Sequence, residues 1–139
     1  MIPSRYGLAA LLLLSVSLQA TAVEVVVNSS IEEHTIPLST LRSIFSMRMT
    51  QWPDGTPIRV FVLGDKNPNH AAFSKQVLGV FPHQLRRAWN RQIYSGTGQA
   101  PNKVETAEEM RNQIEKTPGA IGYLPEEQVN GHIRTIEIE

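Results

Sequence analysis

The spacing of apolar residues along this chain changes period several times, and each change predicts an element. From Val23 to Val27, in VEVVVN, β-branched residues run together and predict a strand. PLSTLRSIFSMR then spaces Leu38, Leu41 and Phe45 at helical intervals with Ile44 beside them, which predicts a short helix with one inward face. QWPDGTP interrupts with Pro53, Asp54, Gly55 and Pro57, a strong turn signal. Ile58 to Leu63, IRVFVL, is almost continuously apolar, the pattern of a strand covered on both faces.

Helix punctuation organises the remainder. Asn67 is a good N-cap and Pro68 suits the first helical position, so a helix is expected from Pro68 to about Leu78, stopped by Gly79. A second starts at Pro82, with Leu85, Ala88, Trp89, Gln92 and Ile93 on its inner stripe and Gly96 ending it. Thr106 and Glu109 form a capping-box pattern for a third, Ala107 to Lys116, with Ala107, Met110 and Ile114 facing inward. TPGAIGYL turns into a strand at Ala120 to Leu124, and GHIRTIEIE supplies a last one in which Ile133 fits period two poorly before Ile136 and Ile138. Strands alternating with helices predict an α/β fold: one three-layer domain with a mostly parallel or mixed sheet flanked by helices.

The first 22 residues carry a different pattern. Arg5 supplies a positive start, Tyr6 to Leu18 an apolar core and Ala20-Thr21-Ala22 a small-residue cleavage site, so Met1 to Ala22 is expected to be a secretory signal cut after Ala22. Its apolar core is shorter than the roughly 20 residues that span a bilayer. The expected product is residues 23–139, exported to the periplasm with no further membrane span. Removing Arg5 leaves 12 basic against 13 acidic residues, a balance that gives no support to nucleic-acid binding. The chain has no cysteine, which excludes disulfides, a thiolate metal site and a cysteine nucleophile.

Candidate chemistry is sparse. The histidines, His34, His70, His83 and His132, never fall at a metal-binding spacing, so no metal or cofactor is expected. No G-x-S-x-G elbow or paired-carboxylate signature appears, so no enzymatic activity is expected. His83, Arg87 and Arg91 lie four apart with Arg86 nearby, a basic stripe that suits solvent first, or else an acidic partner or an anion. SGTG at Ser95 to Gly98 follows a helix C-terminus, where the dipole repels anions, and serves as a helix stop. GDKNPNHAAFSK is the stretch with most to say: a strand ends, a polar loop follows, and a helix reopens with free backbone N–H groups at its start, a geometry that suits an anion. A well-capped helix start explains the same residues without a ligand.

Taken in order, PLSTLRSIFSMRMTQWPDGTPIRVFVL, Phe73, AWNRQIYSGTGQAP and TPGAIGYL resemble one lobe of the periplasmic phosphate-binding proteins, the type II solute-binding proteins of ABC uptake systems. The resemblance runs from Val23 to at least Leu124. It implies a non-enzymatic module that takes phosphate or another oxyanion, with a second lobe supplied by another copy or by an envelope protein. In such relatives an arginine, an aspartate and a Ser-Gly-Thr follow the strand. Here Asp65 matches the aspartate, no arginine precedes it, and Asn67 to His70 stand where Ser-Gly-Thr belongs. The implied ligand-binding residues are therefore Asp65, Lys66, Asn67, Asn69 and His70. The alternative is an envelope interaction or assembly protein that keeps the lobe fold without binding a ligand.

Overall fold

Within the computed structural model, which describes residues 22–96 and 98–139, the opening run of valines becomes an inner strand. This strand, β1 (Val23–Asn28), pairs antiparallel with β5 (Ala120–Pro125), Val25 opposite Tyr123, and antiparallel with β6 (Ile133–Thr135), Val27 opposite Arg134. On the far side of β5 lies β3 (Arg59–Val62), parallel to it, and β4 (Asn102–Lys103) continues parallel to β3. The order is β4-β3-β5-β1-β6, so four of the five strands share a direction and β1 opposes them. All six residues of β5 are buried, as a strand covered on both faces should be.

Gly122 shows how the layers are arranged. A Cβ at this position would lie 2.6 Å from both Ile114 Cδ1 and Met110 Sδ, so this face of β5 is pressed against α4 (Ala107–Lys116). The neighbouring Tyr123 must point the other way. Its ring stacks on Phe73 at 4.1 Å and meets Phe45 at 6.2 Å, which places α1 (Leu38–Phe45) and the helix carrying Phe73 on the opposite face. That helix starts as α2 (Pro68–Ala72) and continues as a π-helical turn, Phe73–Leu78, in which Phe73, Ser74 and Leu78 all face inward. The last helix of this layer, α3 (Pro82–Tyr94), is tied down where Trp89 Nε1 donates to the Phe45 carbonyl at 2.6 Å. Helix, sheet and helix thus make the expected three layers. Burying one such Phe, Leu or Ile side chain contributes about 1.5–3 kcal/mol.

Several details depart from the sequence pattern. Ile93, expected on the inner stripe of α3, is 44% exposed; Leu85 and Trp89 alone of that stripe are fully buried, with Ala88 and Gln92 at its margin. The capping box of α4 is offset: Thr106 accepts from the Glu109 N–H, but the Glu109 carboxylate accepts from Glu105 N–H, one residue earlier than expected. The final strand divides at Ile136, whose N–H donates to the Val25 carbonyl. Beyond it β7 (Glu137–Ile138) leaves the main sheet to pair in parallel with β2 (Thr35–Ile36). This division explains the broken alternation at Ile133 to Ile138. The expected leader, residues 1–22, lies outside the described residues except for Ala22.

Candidate functional site

The chain leaves β3 through Leu63 and Gly64 and turns tightly, the Asn67 N–H donating to the Gly64 carbonyl at 2.9 Å. Asn67 then caps α2, its side chain accepting from Asn69 N–H at 2.9 Å while Pro68 fills the first helical position without a donor. This start turns His70 inward. The imidazole is 0% exposed, and its Nδ1 makes a short hydrogen bond with the Tyr123 hydroxyl from β5. The same phenol oxygen accepts from the Leu63 N–H at 2.8 Å.

These bonds decide where the protons lie. Burial pushes the Tyr123 pKa well above the usual tyrosine range, so the phenol keeps its proton. Among the described residues that proton has no acceptor other than His70 Nδ1, so the phenol donates and the imidazole carries its own proton on Nε2. Burial also lowers the His70 pKa; the Asp65 carboxylate opposes this and Lys103 on β4 adds to it, and the ring is neutral near pH 7. The Nε2 atom is buried and, among the described residues, has no hydrogen-bond partner. Asp65 Oδ1 faces it at 3.8 Å, too far for a direct bond. The other oxygen of that carboxylate is paired with Arg86, which reaches over from α3.

The structure therefore brings Asp65 and His70 face to face, with Lys66, Asn67 and Asn69 in the same short loop. Lys66 is exposed, and the Asn67 carbonyl oxygen is already spent on the helix cap. Three further residues take part. Arg86 stood out in the sequence only as part of a basic stripe. Tyr123 looks like any inward aromatic of a buried strand, and Lys103 lies in a strand too short to leave a pattern. Ser95 and Gly96 behave as a helix stop: Ser95 N–H donates to the Arg91 carbonyl, and Gly96 adopts φ 74°.

The mixed α/β layer, whose central strand runs into a polar loop and then a helix, has the fold of a single lobe of PstS-like proteins. The chain belongs to the PBP superfamily domain family, whose model matches residues 14–130, starting inside the stretch expected to be the leader. Solved structures share the fold at low identity. PstS from Borrelia burgdorferi superposes with a TM-score of 0.67 at 14% identity, over 85% of this chain and 47% of that one. A candidate phosphate ABC transporter substrate-binding protein from Clostridium perfringens, solved with bound phosphate, gives 0.66 at 15%, over 84% and 44%. An ABC-type phosphate transport receptor from Vibrio cholerae gives 0.64 at 15%, over 84% and 45%. The chain thus spans less than half the length of each of these proteins. A search of curated proteins by sequence finds no match. Among the described residues no helix is long and apolar enough to cross a membrane.

Proposed function

We propose that the protein is a non-enzymatic solute-binding module, exported to the periplasm with its leader cut after Ala22, that takes phosphate or another small oxyanion at residues 64–70. The observation that carries this reading is the buried Nε2–H of His70, which among the described residues lacks a partner and faces a carboxylate. Leaving such a donor unpaired costs about 1–3 kcal/mol, and a ligand oxygen removes that cost. An oxygen about 2.8 Å from each atom closes a triangle on the 3.8 Å base between Nε2 and Asp65 Oδ1. If that oxygen is protonated, it accepts from His70 and donates to Asp65. A monohydrogen oxyanion has this combination of groups, and Arg86, Lys66 and Lys103 offset its charge. The opposite wall of the cleft would come from a second copy or an envelope protein.

Calorimetric titration of the chain with phosphate tests this. Saturable heat is expected, weakened in Lys66→Ala and Asn69→Ala and lost in Asp65→Leu; no heat at millimolar phosphate counts against it.

One observation favours the second reading, an envelope interaction protein that keeps the lobe without the ligand. Phe81 is 56% exposed at the start of α3, and Ile93 at 44% and Tyr94 at 87% stand at its end, where Tyr94 lines a groove with Arg87 and Arg91. Aromatic and arginine side chains together are the usual anchors of protein interfaces. This reading predicts a periplasmic complex that Tyr94→Ser weakens and phosphate leaves unchanged.

A further inference from the structure

The overall charge balance hides a separation. Residues 34–104 carry nine basic and two acidic side chains, whereas residues 22–33 and 105–139 together carry three basic and eleven acidic ones. The first group includes α1, α2 and α3 on one face of the sheet, and the second includes α4 on the other. One acidic residue of the basic group, Asp65, is already paired with Arg86.

Between α1 and α3 this positive face forms a concavity of about 430 Å³, within the range of about 300–1,000 Å³ typical of small-ligand sites. Ser39 and Ser43 of α1 and its C-cap Ser46, whose hydroxyl donates to the Ser43 carbonyl, line one side, while Arg42, Arg48 and Arg91 line its walls and no carboxylate does. Arg42 is held in place by donating from Nε to the Leu78 carbonyl at 2.9 Å. Among the described residues Arg48 and Arg91 have no ion pair or side-chain hydrogen bond. Arg48 owes its place to the end of α1. Met47 adopts φ 66°, and the Arg48 N–H turns back to the Ser43 carbonyl at 2.9 Å, a helix ending that usually has glycine in the left-handed position. Leu85 and Ala88 supply an apolar floor, Ala88 keeping the space open.

Guanidinium groups grip phosphate oxygens in pairs, and hydroxyls add donors without adding charge. We propose that the groove between α1 and α3 is an anion site for a ligand with two or more phosphate groups, separate from the loop at residues 64–70 and independent of what that loop binds. Three guanidinium groups along one concavity suit several linked phosphates better than a single one. The phosphates could belong to a soluble condensed phosphate or to clustered anionic lipid headgroups.

The test is calorimetric titration of the chain with tripolyphosphate at low salt, using wild type, Arg48→Gln, Arg91→Gln and the control Arg111→Gln on α4. Both groove variants remove exposed, unpaired side chains and should fold normally. Binding is expected to weaken about tenfold in each groove variant, to stay unchanged in the control, and to fall with added salt. A parallel arm sediments the protein with phosphatidylglycerol vesicles and with phosphatidylcholine vesicles. Arginine-dependent binding to the first alone, without tripolyphosphate binding, assigns the phosphates to lipid. The proposal is overturned by binding that neither groove variant weakens, by binding that Asp65→Leu abolishes and the groove variants do not, by no binding in either arm, or by self-association that the groove variants abolish.

Discussion

Replacing Tyr123 by Phe removes a single oxygen, and the structure sets what this should cost. The ring keeps its stack on Phe73 at 4.1 Å and its contact with Phe45, so little packing is lost. The Leu63 N–H, donating at 2.8 Å, and His70 Nδ1 both lose their partner in a region closed to water. A buried polar group left unpaired costs about 1–3 kcal/mol, and removing the buried hydroxyl returns some of its own desolvation cost. We therefore expect a destabilisation of about 3 kcal/mol, a large part of the 5–15 kcal/mol typical of a whole domain. With a slope of about 2 kcal/mol per molar urea, the unfolding midpoint falls by about 1.5 M with the slope unchanged. Adding His70→Leu removes one of the two orphans, so the double variant should lose less than the sum of the single losses. A change below about 0.5 kcal/mol for Tyr123→Phe, the level of an ordinary surface substitution, would show that the phenol holds neither partner.

Other substitutions probe the frame around the site. Asn28 is 5% exposed and donates to the Ile114 and Glu115 carbonyls at 2.8 and 2.9 Å, closing the end of α4; Asn28→Ala should cost about 2–3 kcal/mol by thermal or urea unfolding, and an unchanged midpoint would contradict this. Gly119 has φ 78° and a Cβ there would lie 2.3 Å from the Pro57 carbonyl oxygen, so Gly119→Ala combines strain with a backbone clash and should cost about 2–4 kcal/mol. The lowered pKa of His70 gives stability a pH dependence. The unfolded chain takes up a proton near pH 6.5 and the folded chain only at lower pH, so stability is full above about pH 6.5 and falls as pH drops below it, by at most about 1.4 kcal/mol per pH unit. The wild-type urea midpoint should therefore fall more between pH 7.5 and pH 5 than that of His70→Gln, which lacks this slope; equal falls in the two proteins would argue against it.

Much of the fold is legible in sequence because its signals are local. Pro68, Pro82 and Thr106 mark helix starts by what their own backbone and side chains do, and the apolar runs at Val23 and Ile58 mark strands by composition. The two-residue strands β2, β4 and β7 are held by pairing with distant segments and leave no such pattern. Ile93 sits on a stripe that periodicity assigns to the interior, yet one turn beyond the buried Trp89, near the end of α3, it is 44% exposed. The loop at residues 64–70 was visible from its caps. Its chemistry was not, because the partners of His70 and Asp65 come from 53 and 21 residues away, on other elements. A tyrosine in a buried strand and an arginine on a helix surface gain their roles only once the layers are stacked.

The most direct test of the account is the 15N signal of His70 Nε2. In long-range proton–nitrogen spectra of the labelled chain near pH 7, Nε2 should appear as the protonated nitrogen and Nδ1 as the unprotonated one. Millimolar phosphate should shift Nε2 in a saturable way and leave Nδ1, bonded to Tyr123, nearly unmoved. Spectra that stay the same throughout the titration would contradict the claim that this donor awaits an oxyanion.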